Sequence, residues 1–204
     1  MQKTEQEKFW EGTFGNEYTD RNQAEVWIPS NTALFSKILA GTRGVKTILE
    51  FGSNLGLNLH ALHNLLPSAE LSAIEINEQA VGELKKWGKT KVYHESILDF
   101  KIDYQRDLTL IKGVLIHINP DRLKDVYTRL VEASKRYVLV AEYYNPSPVA
   151  IPYRGHTDRL FKRDFAGEIL DSHKNLRLLD YGFAYHRDPN FPQDDITWFL
   201  MEKT

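Results

Sequence analysis

The chain has 204 residues, of which 42% are hydrophobic and 26% are charged, and its formal net charge is −2. This size and composition are typical of one globular domain, and the slight negative charge argues against nucleic acid as a partner. The absence of cysteine excludes disulfides and thiolate zinc sites. No apolar run could span a membrane, and residues 1–11 carry mixed charges where a signal peptide would be apolar. We therefore expect a cytoplasmic protein without a membrane partner.

Residues 1–28 are predicted to form an N-terminal lid over a ligand site. Residues 4–10 have a helical pattern, and the glycines and aromatic residues at 12–22 predict an ordered loop folded over a bound group. Tyr18, Arg21 and Asn22 are the candidates for ligand contacts. The alternative is a surface helix whose aromatic side chains pack on the core.

The next helix is predicted to begin at Ser30 or Asn31 and to continue through Leu39, because either residue can cap a helix and Gly41 can end one. An apolar strand that begins at residue 47 then leads into a glycine turn. A turn of this kind is predicted to bring bare backbone N–H groups close to a ligand.

The glycine turn does not match the two common nucleotide-binding loops. Asn54 and Leu57 replace the second and third glycines of a dinucleotide loop, and no Gly-Lys-Ser/Thr sequence follows for phosphates. Acidic Glu50 suits a cationic, amino-acid-like ligand instead. A second strand at residues 71–77 carries Glu75, whose carboxylate can accept hydrogen bonds from both ribose hydroxyls. A nucleoside joined to a cationic amino acid, without pyrophosphate, describes S-adenosylmethionine (SAM).

The pattern E-x-G-x-x-x-G, followed by an acid after the second strand, resembles the first two motifs of class I SAM-dependent methyltransferases. The resemblance covers most of the chain and implies a single domain of residues 1–204. Its α/β fold would be a Rossmann-like, seven-stranded mixed sheet with helices on both faces and an antiparallel last strand. The implied cofactor-binding residues are Tyr18, Arg21, Glu50, Gly52, Ser53, Asn54, Gly56, Glu75, Ile76, Ser96, Ile97, Lys112 and Gly113.

The remaining strands of this sheet are predicted at residues 91–94, 108–111, 137–141, 177–185 and 196–201, and further helices at 55–66, 79–87, 120–133 and 164–172. After the third strand, Ser96 and Ile97 match the polar–apolar pair that holds adenine in the family. Relatives carry an acid near Ser96, and Glu95 or Asp99 is expected to supply it here. His60 and His63 lie one turn apart on a helix without a third ligand, so no metal site is predicted.

The fourth strand leads into residues 112–117, at the edge of the sheet where open α/β folds bind ligands. His117 is the first candidate for a general base, because the ordinary pKa of histidine lies near neutrality. A histidine buried against the next helix is the competing interpretation. The loop at 185–195 is expected to wall the substrate pocket beside the same edge.

Residues 153–163 carry four fixed positive charges and one negative charge. Arginine pairs bidentately with carboxylates and phosphates, so this segment suits an acidic substrate. A solvated basic helix face is the alternative. His156 is the second candidate base, and the candidate substrate-binding residues are Asn22, Tyr143, Tyr144, Arg154 and Arg159.

Four longer runs are similar to the methylases associated with pseudaminic acid biosynthesis: EKFWEGTFGNEYTDRN at 7–22, ILEFGSNLGLNL at 48–59, KGVLIHINP at 112–120 and YRGHTDRLFKRDF at 153–165. This resemblance implies a small acidic acceptor, a nonulosonic sugar or its nucleotide-activated form. The alternatives are an RNA or protein methyltransferase, a SAM-binding protein without activity, and an NAD-linked sugar dehydrogenase. The sequence leaves the oligomeric state open.

Overall fold

A computed structural model of the chain describes residues 3–22, 24–153, 155 and 159–204. Its helices are α1 (Glu5–Glu11), α2 (Thr13–Arg21), α3 (Ala24–Leu39), α4 (Leu57–Leu65), α5 (Glu78–Trp87), α6 (Leu123–Glu132) and α7 (Phe165–Ser172). The strands are β1 (Thr47–Phe51), β2 (Glu70–Glu75), β3 (Thr90–His94), β4 (Arg106–Lys112), β5 (Ser134–Glu142), β6 (Val149–Ala150), β7 (Phe161–Lys162), β8 (Leu176–Ala184) and β9 (Ile196–Lys203). In the described part of the chain, no helix is both long and apolar enough to cross a membrane.

Seven strands form one mixed sheet in the order β3-β2-β1-β4-β5-β9-β8. The first five strands pair in parallel, whereas β9 is antiparallel to both β5 and β8. This arrangement confirms the predicted Rossmann-like fold with an antiparallel last strand. Parallel strands end at a common edge, so the loops after β1, β2, β3, β4 and β5 lie side by side.

The central strands of the sheet are buried on both faces, which explains why they are almost continuously apolar. On one face, Phe35 and Ile38 of α3 pack with Leu62 of α4. On the other, Leu130 of α6 packs with Phe165 of α7. This two-sided burial holds the strand ends in place and leaves their loops to form a site.

The predicted loop at residues 12–22 is wrong, because most of it forms α2. Gly12 is both the C-cap of α1 and the N-cap of α2. Gly15 is required by close packing, since a Cβ there would lie 1.9 Å from the carbonyl oxygen of Trp10. The glycines therefore mark a tight contact between two helices, which the sequence pattern does not distinguish from a loop.

The predicted start of the third helix is also wrong. α3 begins at Ala24, six residues before Ser30, and contains Pro29. The side chains of Ser30 and Asn31 are buried inside this helix. Asn31 accepts a hydrogen bond from Gln193 through its side-chain oxygen at 3.0 Å. Its polar group thus serves a long-range contact and not a helix cap.

The short hairpin of β6 and β7 was not predicted. It pairs residues just before the basic segment with two residues inside it. The backbone N–H of Ile151 donates to the carbonyl of Leu160 at 2.9 Å. The predicted helix at 120–133 is interrupted near its start, because Pro120–Arg122 form a 3₁₀ turn before α6.

Candidate functional site

A cavity of about 430 Å³ opens at the edge of the sheet where the parallel strands end. This volume lies within the range of about 300–1,000 Å³ that is typical of small-molecule pockets. Its floor is formed by the loops after β1, β2, β3 and β4, and α1 and α2 cover it. Asp194 and Ile196 also line it, so the loop before β9 walls the site as expected.

Most of the predicted site residues line this cavity. They are Tyr18, Asn22, Gly52, Ser53, Asn54, Glu75, Ile76, Ser96, Ile97, Lys112, Gly113, His117 and Tyr143. The cavity lining does not include Arg21, Glu50, Gly56, Tyr144 or Arg159. Arg154 and His156 lie outside the described residues.

The glycine turn has the predicted shape but not the predicted free amides. Gly52 and Gly56 have φ values of 75° and 73°, and Asn54 between them has 45°. The N–H groups of Gly52 and Ser53 both donate to the carbonyl of Ile74, at 2.9 and 3.1 Å. The expectation of bare N–H groups is therefore wrong, because the end of β2 satisfies them.

The other N–H groups of the turn are also bonded within the protein. The N–H of Asn54 donates to the carboxylate of Glu75 at 2.6 Å. The N–H of Leu55 donates to the side-chain oxygen of Asn54 at 2.7 Å. The N–H of Gly56 donates to the carbonyl of Ser53 at 2.8 Å. A ligand can therefore approach the backbone of the turn closely, but the turn has no free N–H groups to bind an anion. This disfavours a pyrophosphate as the ligand.

The two glycines have different roles. At Gly52 a Cβ would lie 2.8 Å from a methyl group of Val114, so this position must stay bare for the loop after β4 to approach. At Gly56 a Cβ would lie 2.5 Å from Leu84 of α5. Gly52 shapes the cavity, whereas Gly56 permits packing behind it.

Glu75 is 7% exposed and has both carboxylate oxygens directed at backbone donors. One oxygen accepts from Asn54, and the other accepts from Ile76 and Asn77 at 2.9 and 2.8 Å. Burial raises the pKa of Glu75, while these three hydrogen bonds act to lower it. The carboxylate is held rigidly at the cavity wall. The oxygen that accepts from Ile76 and Asn77 has both lone pairs in use, whereas the oxygen that accepts from Asn54 keeps capacity for a ligand hydroxyl.

Glu50 is fully buried at the end of β1. One of its oxygens accepts from the side-chain amide of Asn58 at 2.6 Å, and the other has no hydrogen-bond partner among the described residues. Burial raises its pKa to about 8. Glu50 is not among the residues that line the cavity, although Asn58, to which it is bonded, is.

Lys112 ends β4 beside two buried carboxyl groups. Its ammonium interacts electrostatically with Glu50, Glu142 and Asp194, although burial lowers its pKa.

Glu142, at the end of β5, accepts from the N–H groups of Val114 and Leu115, both at 2.9 Å. Burial raises the pKa of Glu142 to about 7. Glu142 thus fixes the loop that carries His117, and its position after a central strand is a signal that sequence reasoning overlooked.

The two helices that cover the cavity are attached to its floor by side-chain amides. Asn77 donates to the carbonyl of Trp10 at 3.3 Å and to the side chain of Asn16 at 2.8 Å. Asn54 donates to the hydroxyl of Thr19 at 3.3 Å. The cover is therefore bonded to the same two loops, after β1 and β2, that shape the site.

His117 lies in a 3₁₀ turn after β4, between the rings of Trp10 and Tyr153 at centroid distances of 4.6 and 5.3 Å. Its Nδ1 is 2.6 Å from the carbonyl oxygen of Arg159. A carbonyl can only accept, so Nδ1 carries the hydrogen and Nε2 is the acceptor of the neutral ring. Burial lowers the pKa of His117 to about 4, which keeps the ring neutral at pH 7.

Three of the predicted site residues that do not line the cavity make contacts elsewhere. Arg21 is exposed, and its guanidinium lies over the ring of Phe14 at 5.6 Å. The guanidinium of Arg159 lies over the ring of Phe9 at 5.4 Å. Tyr144 is 44% exposed, and its ring centroid lies 6.1 Å from that of Phe199 in β9.

Several polar lining residues were not predicted from the sequence. They include Glu7, Trp10, Trp27, Asn31, Asn58, Asn77 and Asp194. Asn77 had a recognisable signal as the cap of α5, since its side chain accepts from the N–H of Ala80 at 3.0 Å. The others reach the site from distant parts of the chain. No group of acidic and histidine side chains among the described residues could hold a metal ion.

Several solved structures with a similar fold are methyltransferases with bound SAM or SAH. Magnesium protoporphyrin IX methyltransferase from Synechocystis PCC 6803, with bound SAH (S-adenosylhomocysteine), has a TM-score of 0.70 at 12% identity, covering 97% of each chain. A Burkholderia thailandensis 1,6-didemethyltoxoflavin-N1-methyltransferase, also with SAH, has a TM-score of 0.66 at 14% identity, covering 93% of this chain and 82% of that one.

The plantazolicin methyltransferase in complex with SAH has a TM-score of 0.67 at 13% identity, covering 98% of this chain and 94% of that one. No protein-family profile matches the sequence, and no curated protein does. At these identities the similarity establishes the class I methyltransferase fold.

Proposed function

We propose that this protein is a SAM-dependent methyltransferase that acts on a small acidic acceptor. The observation that carries the proposal is the cavity at the strand-end edge of a class I methyltransferase fold, bounded by the Gly52 turn and the Glu75 carboxylate. Neighbours of the same fold hold SAM or SAH. Neither a dinucleotide loop nor a phosphate loop is present to favour another nucleotide.

The residues fit this cofactor at two points. The turn at Gly52 lines the cavity, and Glu75 presents a fixed carboxylate for the ribose. Glu50, which the sequence suggested for the cationic portion, is buried outside the cavity lining, and burial raises its pKa to about 8, so it does not suit a contact with a cation. The bound cofactor supplies a methyl group on a positively charged sulfur. Proposed contacts from the cover are those of Tyr18 and Asn22, which line the cavity.

The protein's own contribution is alignment and, for some acceptors, removal of a proton. A methyl group on a sulfonium is already activated, so holding the acceptor in line accounts for much of the rate. An acceptor hydroxyl must lose its proton, and Nε2 of His117 is the acceptor that the ring offers. An acceptor carboxylate needs no base.

We predict that His117→Ala lowers hydroxyl methylation by about 100-fold or more and leaves carboxylate methylation almost unchanged. In the wild type, the rate with a hydroxyl acceptor should stay level as pH falls and decline only near the pKa of about 4, well below the ordinary value of 6.5. Initial rates with both acceptor types across this pH range test the prediction. A decline centred near 6.5, or equal losses for both acceptors, would contradict it.

The acceptor we propose is a nonulosonic sugar of the pseudaminic type, or its nucleotide-activated form. This assignment is supported by the four sequence runs that resemble methylases associated with pseudaminic acid biosynthesis. Lys112 lines the cavity and could attract an acidic group, with Tyr143 beside it. Arg154 and Arg159 are proposed to pair with the sugar carboxylate or a nucleotide phosphate on entry.

The experiment that tests the function is transfer of a labelled methyl group to a panel of nonulosonic acids and their nucleotide-activated forms. Calorimetric titration with SAM, SAH and NAD on the same protein identifies the cofactor. Binding of SAM with transfer to a panel member is the expected result. Binding of NAD alone would overturn the proposal, and SAM binding without transfer to any acidic sugar would overturn the acceptor.

A further inference from the structure

Glu7, on the first turn of α1, lines the cavity beside the loop that follows β3. One carboxylate oxygen accepts from the hydroxyl of Ser96. The other accepts from the backbone N–H and the hydroxyl of Thr4, at 2.7 and 2.9 Å. The side chain is thus held from both sides, in a capping box that fixes the start of α1.

The hydroxyl of Ser96 is already used within the protein. It donates to Glu7 and accepts from the N–H of Leu98 at 3.1 Å. Its single hydrogen is therefore not available for a ligand. A ligand donor at this place finds its charged acceptor in the carboxylate to which Ser96 is bonded, and a hydrogen bond to a charged group is the stronger one.

The carboxylate of Glu7 is ionised at neutral pH. Partial burial acts to raise its pKa, but the hydrogen bonds from Ser96 and Thr4 outweigh this effect, and the pKa lies below the ordinary value of 4.5. The oxygen that accepts from Thr4 already has two hydrogen bonds, whereas the oxygen that accepts from Ser96 has capacity for a second. The apolar side chains of Ile76 and Ile97 line the same cavity and suit the faces of a flat ring.

Adenine presents an amino group at its edge, and that group needs an acceptor when it is buried. Of the two acids expected to serve from the loop after β3, Asp99 does not line the cavity. Glu95 lines it, but no hydrogen bond from the part of the chain that the structure describes fixes its carboxylate. Glu7 is the acid at this place that is both fixed and ionised.

We propose that Glu7 of α1 accepts the hydrogen bond from the amino group of adenine and so selects adenine over other purines. This inference rests on the proposed cofactor. The recognising acid then belongs to the cover of the cavity and not to the sheet. Binding of the nucleoside and docking of α1 consequently stabilise each other.

The test is a thermodynamic cycle between a side chain and one ligand group. Dissociation constants are measured by calorimetry for SAH and for its analogue with purine in place of adenine, which lacks the amino group. The proteins are the wild type, Glu7→Met, Glu7→Gln and Glu95→Gln. Glu7→Met removes the acceptor at similar length, and Glu7→Gln keeps a side chain that can complete the capping box.

We expect the wild type to bind SAH about 10- to 100-fold more tightly than the purine analogue, as for a hydrogen bond to a charged group. Glu7→Met should lose this ratio, Glu7→Gln should give an intermediate ratio, and Glu95→Gln should keep the wild-type ratio. An unchanged ratio in both Glu7 variants, or its loss in Glu95→Gln, would overturn the assignment. If the wild type binds neither compound, the assignment of SAM as the cofactor is wrong. The two failures are thereby distinguished.

Discussion

Replacement of Glu75 by glutamine is expected to weaken SAM and SAH binding by about 10- to 100-fold. A hydrogen bond to a charged group contributes about 1.5–3 kcal/mol, and this carboxylate is proposed to accept one from the ribose through the oxygen that also accepts from Asn54. The same side chain also accepts from Asn54, Ile76 and Asn77, so the change loosens the turn that shapes the cavity. Calorimetric titration of purified variants with SAH measures the loss.

The control for Glu75→Gln is Glu78→Gln, an exposed carboxylate on the first turn of α5. A second ligand separates direct contact from distortion of the turn: the SAH analogue that lacks both ribose hydroxyls. Wild-type protein should prefer SAH strongly over this analogue, and Glu75→Gln should not. A preserved preference in Glu75→Gln would show that the carboxylate does not bind the ribose.

The free energy of unfolding is expected to fall as pH rises from about 5 to 8, by on the order of 5 kcal/mol. Burial raises the pKa of Glu50 to about 8 and that of Glu142 to about 7. A carboxyl with a raised pKa holds its proton more tightly when folded. Its contribution to stability is complete below the ordinary value of 4.5 and is lost as pH rises through the folded value. His117 acts in the opposite direction between about 4 and 6.5, and this reduces the slope.

Urea unfolding at a series of pH values measures this dependence. Glu50→Gln should flatten the fall, because the amide has the size of the carboxyl group but no proton to lose. Glu83→Gln, an exposed residue paired with Lys86 on α5, is the matched control and should leave the slope unchanged. Equal slopes in wild type and Glu50→Gln would refute the idea that this buried carboxyl is protonated in the folded protein.

The parts of the site that the sequence predicts well are those determined by local pattern. A strand, a turn of positive φ and an acid at a strand end are encoded by neighbouring residues, so the local pattern brings Gly52 and Glu75 to the edge of the sheet where the cavity lies. The seven-stranded mixed sheet with its antiparallel last strand was expected from the family resemblance, and the structure confirms it. Lys112 ends β4 and His117 follows it closely, so the end of that strand brings both residues to the cavity.

The parts that local pattern missed depend on contacts across the fold. Glu7 and Ser96 are 89 positions apart and meet only because α1 folds back over the loop after β3. Gly15 suggested a loop in the sequence, but in the structure its missing side chain lets α2 pack closely against the carbonyl of Trp10 in α1. The burial of Glu50 beside Asn58 depends on how the helix after the turn is rotated, which periodicity does not specify.

Asn77 uses both ends of its amide group. The oxygen starts α5 by accepting from Ala80, while the nitrogen donates to Trp10 and Asn16 in the cover. Aspartate and serine begin helices as well as asparagine does, but neither can supply both an oxygen acceptor and an NH₂ group. The usual freedom to exchange one helix-capping residue for another is therefore lost here. Replacement of Asn77 by aspartate or serine would keep the start of α5 but would remove the hydrogen bonds that attach α1 and α2 to the floor of the cavity.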